Sequence, residues 1–156
     1  MELKDQKKSS AKAVRSTPVQ GRPLVQVLYI DGNEEDLILT QLACERCHAS
    51  FNFWLARSVQ EAISGLKSAQ ANEKTLPDLI LLEIMTDGHK GFEVLKFVAA
   101  NPRLSRIPVV VYTGTTDPVL LGNAQRLGAK CVLTKEANLG SVIKLVAFAT
   151  NIGLCA

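Results

Sequence analysis

From residue 24 onward the chain alternates short, β-rich apolar runs with longer stretches whose apolar residues recur at helical spacing. That alternation is the strongest constraint on its fold, because strands joined by helices can pair in parallel only if the helices cover both faces of the sheet. "LVQVLYI" (24–30) reads as a first strand ending at Asp31-Gly32-Asn33, and a helix follows with Ile38, Leu39, Leu42 and Ala43 on one stripe. "FNFWLA" (51–56) reads as a second strand. Ser58 and Glu61 form a capping box before a helix whose inner face is Val59, Ala62, Ile63 and Leu66. "DLILLEI" (78–84) suits the middle of a sheet. The next helix opens at Gly91, turns Phe92, Leu95, Val98 and Ala99 inward, and stops at Asn101-Pro102.

"IPVVVYT" (107–113) is the fourth strand, with Pro108 at its start. Asp117-Pro118 is an N-cap and N1 pair for a helix that ends near Gly128. "CVLT" (131–134) is the fifth strand, and the last helix carries Leu139, Val142, Ile143, Val146 and Ala147 on one face. Five βα units without an internal repeat predict a doubly wound α/β domain of three layers, a flavodoxin-like (βα)5 fold with strand order 2-1-3-4-5. Ligands in such sheets bind beyond the C-terminal strand ends. That rule brings Asp31, Glu83, Thr113 and Lys135 to one rim.

Composition and charge narrow the function classes. A chain of 156 residues fits a single domain, and 47% hydrophobic residues exclude disorder throughout. Residues 1–22 hold six basic residues against two acidic ones, a net +4, so the overall +3 resides in this segment. The segment is expected to be a disordered basic arm, with the folded domain at 23–156. Its basic residues are not interleaved with aromatics, so nucleic acid is not the expected partner. Neither a membrane-spanning apolar run nor a signal-peptide core is present, which predicts a cytoplasmic protein with its four cysteines reduced. "CERCH" (44–48) matches the CxxCH pattern of covalent haem attachment. Its place at the end of a helix, in a chain without an export signal, favours coincidence over a c-type haem protein. His89, Trp54 and Cys155 read as an exposed loop residue, a packing residue and a free thiol.

Four segments at these spacings, "LYIDGNEEDL", "PDLILLEIMTDGHKGFEVL", "PVVVYTG" and "LGAKCVLTKE", closely resemble the receiver domains of two-component response regulators over about residues 24–152. The connection "SAQANEKTLPD" and the segment "NPRLSRIPVVV" most resemble small stand-alone, phytochrome-linked regulators. In that family two adjacent acids after the first strand help to hold Mg²⁺, an aspartate ending the third strand accepts a phosphoryl group, and a hydroxyl and a lysine bind the phosphoryl oxygens. The resemblance assigns Asp31 to the first acid, Glu83 to the acceptor, Thr113 to the hydroxyl and Lys135 to the lysine. The chain departs from the pattern at Gly32, where the second acid belongs, at Glu83 in place of aspartate, and at Glu136 in place of a proline. Val132 stands where the family's switch aromatic stands. Without the proline, the bond after Lys135 is expected to be trans, since cis would cost about 3 kcal/mol.

One extra methylene moves a carboxylate by about 1.5 Å, whereas a misplacement of about 1 Å in a reacting group can cost on the order of a hundredfold in rate. Phosphotransfer is therefore expected to be absent or very slow. A Glu83–Lys135 ion pair would hold the domain in one signalling state, a pseudo-receiver that is not an enzyme and works by contact with a protein partner, such as a sensor histidine kinase or a downstream effector, or with a second copy of the chain. The alternative is a working phosphoacceptor with a degenerate Mg²⁺ site built from Asp31, Glu83 and the Met85 carbonyl. No cofactor is expected beyond weak Mg²⁺.

Overall fold

The computed structural model describes residues 13–14, 24–46, 51–135 and 145. Six strands are ordered β1-β3-β2-β4-β5-β6: β1 (Ala13–Val14), β2 (Val25–Ile30), β3 (Phe51–Ala56), β4 (Leu79–Leu82), β5 (Val109–Thr113) and β6 (Cys131–Thr134). The last five are parallel and reproduce the expected 2-1-3-4-5 order. Ala13 and Val14, inside the stretch expected to be a disordered arm, pair antiparallel with Trp54 and Phe53 and so extend the β3 edge.

The helices are α1 (Glu34–Arg46), α2 (Val59–Ala71), α3 (Gly91–Ala100) and α4 (Pro118–Arg126). Side-chain alternation along the strands builds two cores. Leu28, Ile30, Ile80, Leu82, Val109 and Val111 face α2, α3 and α4. Val27, Tyr29, Leu79, Leu81, Val110 and Tyr112 face α1 and Leu145. Leu145 is helical and buried; the remainder of the expected last helix, with Leu139, Val142, Ile143, Val146 and Ala147, lies outside the described residues, as does Glu136.

The expected stripe of α1 needs correction. Leu37, Thr40, Ala43 and Cys44 face the sheet, whereas Ile38, Leu39 and Leu42 are 50%, 61% and 47% exposed. Thr40 can be buried because its hydroxyl lies 3.4 Å from the Tyr29 hydroxyl, and that partner turns a polar residue inward in place of an apolar one. In α3 the inner face is Gly91, Val94, Leu95 and Val98, with Phe92 only partly buried and Ala99 exposed. At α2, Ser58 accepts from the Glu61 N–H at 3.0 Å, but the Glu61 carboxylate reaches the Arg57 N–H, at 3.4 Å, rather than completing the box on Ser58. Asp117 caps α4 through the Val119 N–H at 2.9 Å, as the Asp-Pro pair implies.

Gly88 has φ +63°, a left-handed conformation that suits glycine. Gly91 is needed for a different reason: a Cβ there would stand 2.5 Å from Ile84 Cα, so α3 can begin against the backbone that follows β4 only without a side chain. Gly91→Ala is predicted to lower the unfolding free energy by at least about 2 kcal/mol through overpacking, and Gly88→Ala by about 1–2 kcal/mol through backbone strain. Urea titration of both variants checks the ranking.

Candidate functional site

The order of the strands reverses between β2 and β4, and the crevice at that point is flanked by Asp31 and Glu83. Backbone pairing sets them side by side: Ile30 is in register with Leu82, and the Glu83 N–H donates to the Ile30 carbonyl at 2.9 Å. On the far side Thr113 is in register with Thr134, and the Lys135 N–H donates to the Thr113 carbonyl at 2.8 Å. The four residues expected at the rim thus converge. Asp31, Glu83 and Thr113 are all buried, at 2%, 7% and 0% exposure.

The hydroxyl and amide donors around Glu83 are used by its own carboxylate. Oε1 accepts from the Thr113 hydroxyl at 2.5 Å and from the Met85 N–H at 3.0 Å, while Oε2 accepts from the Gly114 N–H at 3.2 Å and lies 3.0 Å from Lys135 Nζ. A carboxylate has about four lone-pair sites; three of those on Glu83 accept hydrogen bonds from one hydroxyl and two amides, and its charge is paired with the Lys135 ammonium. Charge-assisted O–H···O bonds are short, and the Thr113 contact falls in that range.

Lys135 is the hub of the site. Its ammonium contacts Asp31 Oδ2 at 2.5 Å, Asp36 Oδ2 at 2.8 Å and Glu83 Oε2 at 3.0 Å, and it lies 5.7 Å from the centre of the Tyr112 ring. Burial alone would push Lys135 toward deprotonation, but the hydrogen bonds it donates to Asp31 and Asp36 and the charges of Asp31 and Glu83 more than offset it and hold the lysine above its usual range. Asp31 also accepts from the Tyr29 hydroxyl, at 3.1 Å on Oδ2, and from the Asn33 N–H, at 2.9 Å on Oδ1. Tyr29 is raised well above the ordinary tyrosine range by burial and then by the Asp31 charge, so it stays a donor.

Asp36 and Tyr29 belong to the site although sequence reasoning singled out neither. Their signals are weak but physical. Asp36 is the third acid in the first turn of α1, one turn beyond the strand end, and Tyr29 shares a strand face with Asp31 through the two-residue period. The other expected residues are peripheral: Met85 supplies its N–H, while its carbonyl accepts from the Gly88 N–H at 3.1 Å; Val132 sits half-buried on β6; and His89 is exposed. Cys44 is buried in the α1-side core, and Cys47 and His48 lie outside the described residues. The loop after β4 is tied to α2 as well, because Asp87 accepts from the Val59 N–H at 2.9 Å.

These donors do not suit a hard divalent cation, which needs several free oxygens at about 2.0–2.1 Å in octahedral array. Gly32 offers no carboxylate, Glu83 is engaged by three hydrogen bonds and the Lys135 charge, and Asp31 retains only one free lone pair, on Oδ1. Among the described residues no group of three or more His, Cys, Asp or Glu side chains is arranged to hold a metal ion.

A parallel five-stranded sheet with acid, hydroxyl and lysine at its C-terminal rim defines the receiver class. Residues 27–147 match the family model of the response regulator receiver domain, and the chain belongs to that family. It is 29% identical over 128 residues to the response regulator Rcp1 of Synechocystis sp., covering 81% of this chain and 87% of Rcp1. The phosphorylated cyanobacterial phytochrome response regulator RcpA superposes with a TM-score of 0.71 at 27% identity, over 85% of this chain and 95% of RcpA. The Mn²⁺-bound form of Rcp1 gives 0.68 at 28% identity, over 83% and 94%. No described helix is long and apolar enough to cross a membrane.

Removing the lysine leaves two buried carboxylates without their cation. Lys135→Met is predicted to lower the unfolding free energy by about 3 kcal/mol or more. Asp36→Asn, at a partly exposed side chain, should cost less than about 1 kcal/mol. Urea midpoints at pH 7, with an unchanged m value, check both.

Proposed function

We propose that this chain is a pseudo-receiver of two-component signalling, held in one state by Glu83 and acting through contact with a protein partner. The observation that carries this reading is that the Glu83 carboxylate accepts from the Thr113 hydroxyl and the Met85 and Gly114 amides and is ion-paired with Lys135. A phosphoryl group on a shorter side chain would need an electropositive cluster of this kind for its oxygens. Here the longer acid already fills it. Glu83 stands at the acceptor position, Asp31, Thr113 and Lys135 form the remains of the phosphoryl pocket, and Val132 occupies the switch position without an aromatic ring. Residues 23–156 form the receiver unit, and 1–22 are a basic arm to it. The partner is a sensor histidine kinase, a downstream effector or a second copy, met in the cytoplasm, and the chain has no enzymatic turnover of its own.

The test is intact mass and melting temperature after incubation with Mg²⁺ and a small phosphodonor such as acetyl phosphate. Unchanged mass and melting temperature are expected. A phosphoryl adduct accompanied by a stability shift would favour the working phosphoacceptor instead. The double variant Gly32→Asp, Glu83→Asp should gain the adduct, because a Cβ at Gly32 meets nothing nearer than the Arg57 carbonyl at 3.7 Å and Thr86 Cγ2 at 3.9 Å. Failure of the double variant to take up phosphate, with its fold intact, would mean that the block lies outside these two positions.

A further inference from the structure

We propose that the Lys135 ammonium is the resident cation of the rim, filling by itself the role that a divalent ion has among the acids of a receiver, and that Asp36 is the third carboxylate arm that keeps it there. The inference rests on the fixed-state reading in one respect, the presence of Glu83 at the rim, and adds an assignment for Lys135 and Asp36. Three carboxylates from three elements meet on one nitrogen: Asp31 from the end of β2, Asp36 from the first turn of α1 and Glu83 from the end of β4. Two of the ammonium's N–H donors are hydrogen-bonded to Asp31 and Asp36, and the Glu83 carboxylate pairs with the same charge at 3.0 Å.

Three carboxylates thus surround one singly charged ion, two of them hydrogen-bonded to it. A lysine that merely paired with Glu83 would leave Asp31 and Asp36 to find other cations, and the shortest of the three contacts, to Asp31 at 2.5 Å, is not the one to Glu83. The geometry also explains why the loss of an acid at Gly32 is tolerated. Asp36, four residues further along, supplies a second carboxylate on the α1 side, from the first turn of the helix, where it meets the lysine. Asp36 is itself held by the N-terminus of α1, where Asn33 Oδ1 accepts from the Glu35 and Asp36 amides at 3.0 and 3.3 Å.

A direct consequence separates a resident cation from an ordinary ion pair. With Lys135 present the acids are turned onto the ammonium and are not arranged to hold a metal, so the site should ignore divalent ions; with the ammonium gone, the three carboxylates lose their counter-charge and should turn together onto a divalent ion, which takes oxygen donors of this kind. The experiment is a Mn²⁺ titration of the full chain, read by the loss of the free-ion electron paramagnetic resonance signal and by melting temperature. Wild type is expected to show no saturable uptake at millimolar Mn²⁺ and no shift. Lys135→Gln is expected to bind at least tenfold more tightly than wild type and to melt higher in Mn²⁺ than in its absence.

If Lys135→Gln does not fold alone, Mn²⁺ should restore its circular dichroism, and that rescue serves as the same readout. Adding Asp36→Asn to Lys135→Gln should abolish most of the gain. Equal Mn²⁺ affinity of wild type and Lys135→Gln would overturn the proposal, as would a folded Lys135→Gln protein that gains no affinity. A gain that survives Asp36→Asn would remove Asp36 from the assignment. A wild-type chain that ignores Mn²⁺ yet accepts a phosphoryl group would sink the fixed-state reading and leave this inference standing, so the two fail separately.

Discussion

The structure turns on one electrostatic requirement: a buried glutamate at the end of the central strand must have its oxygens hydrogen-bonded and its charge paired. Leaving a carboxylate charged and unpaired at 7% exposure would cost several kcal/mol. The sheet meets the requirement by delivering a hydroxyl from β5, an amide from the turn after β5, an amide from the turn after β4 and an ammonium from the residue following β6. Thr113 and Lys135 arrive because neighbouring parallel strands end in register, and the two amides come from the turns that directly follow β4 and β5.

Lys135 links this carboxylate to the other side of the crevice. At an effective dielectric of about 20, each contact of roughly 3 Å represents a gross attraction of about 5 kcal/mol, most of which is offset by desolvation. The net contribution to stability is modest, but the consequence for geometry is large. The ends of β2, β4 and β6 and the start of α1 are bonded to a single nitrogen, which ties the rim into one unit. In a receiver whose output depends on the rim changing shape, such a unit resists change. That is the physical content of the fixed state proposed for this chain.

Much of the fold was legible because strand burial and helix capping have strong local causes. The apolar run Leu79 to Leu82, the Ser58 cap and the Asp117-Pro118 start all stand where their chemistry requires. The inner face of α1 was not legible, since Thr40 is buried by virtue of a hydroxyl partner 11 residues away rather than by its own polarity. Within the site, Asp31, Glu83, Thr113 and Lys135 were readable from strand ends. Asp36 was hidden because an acid in the first helical turn is ordinarily explained by the helix dipole, and Tyr29 because an aromatic in a central strand is ordinarily core. The amides of Met85 and Gly114 carry no side-chain signature at all, although they supply two of the three hydrogen bonds that the Glu83 carboxylate accepts.

The claim that Glu83 already occupies the donor cluster can be tested at the donors themselves. Amide ¹H–¹⁵N resonances of Met85 and Gly114 in the full-length chain should stay in place when Mg²⁺ and a small phosphodonor are added, because both N–H groups are already bonded to the Glu83 carboxylate. Movement of both resonances to a new, saturable position would contradict the account, since it would mean that the cluster exchanges its carboxylate for an incoming group.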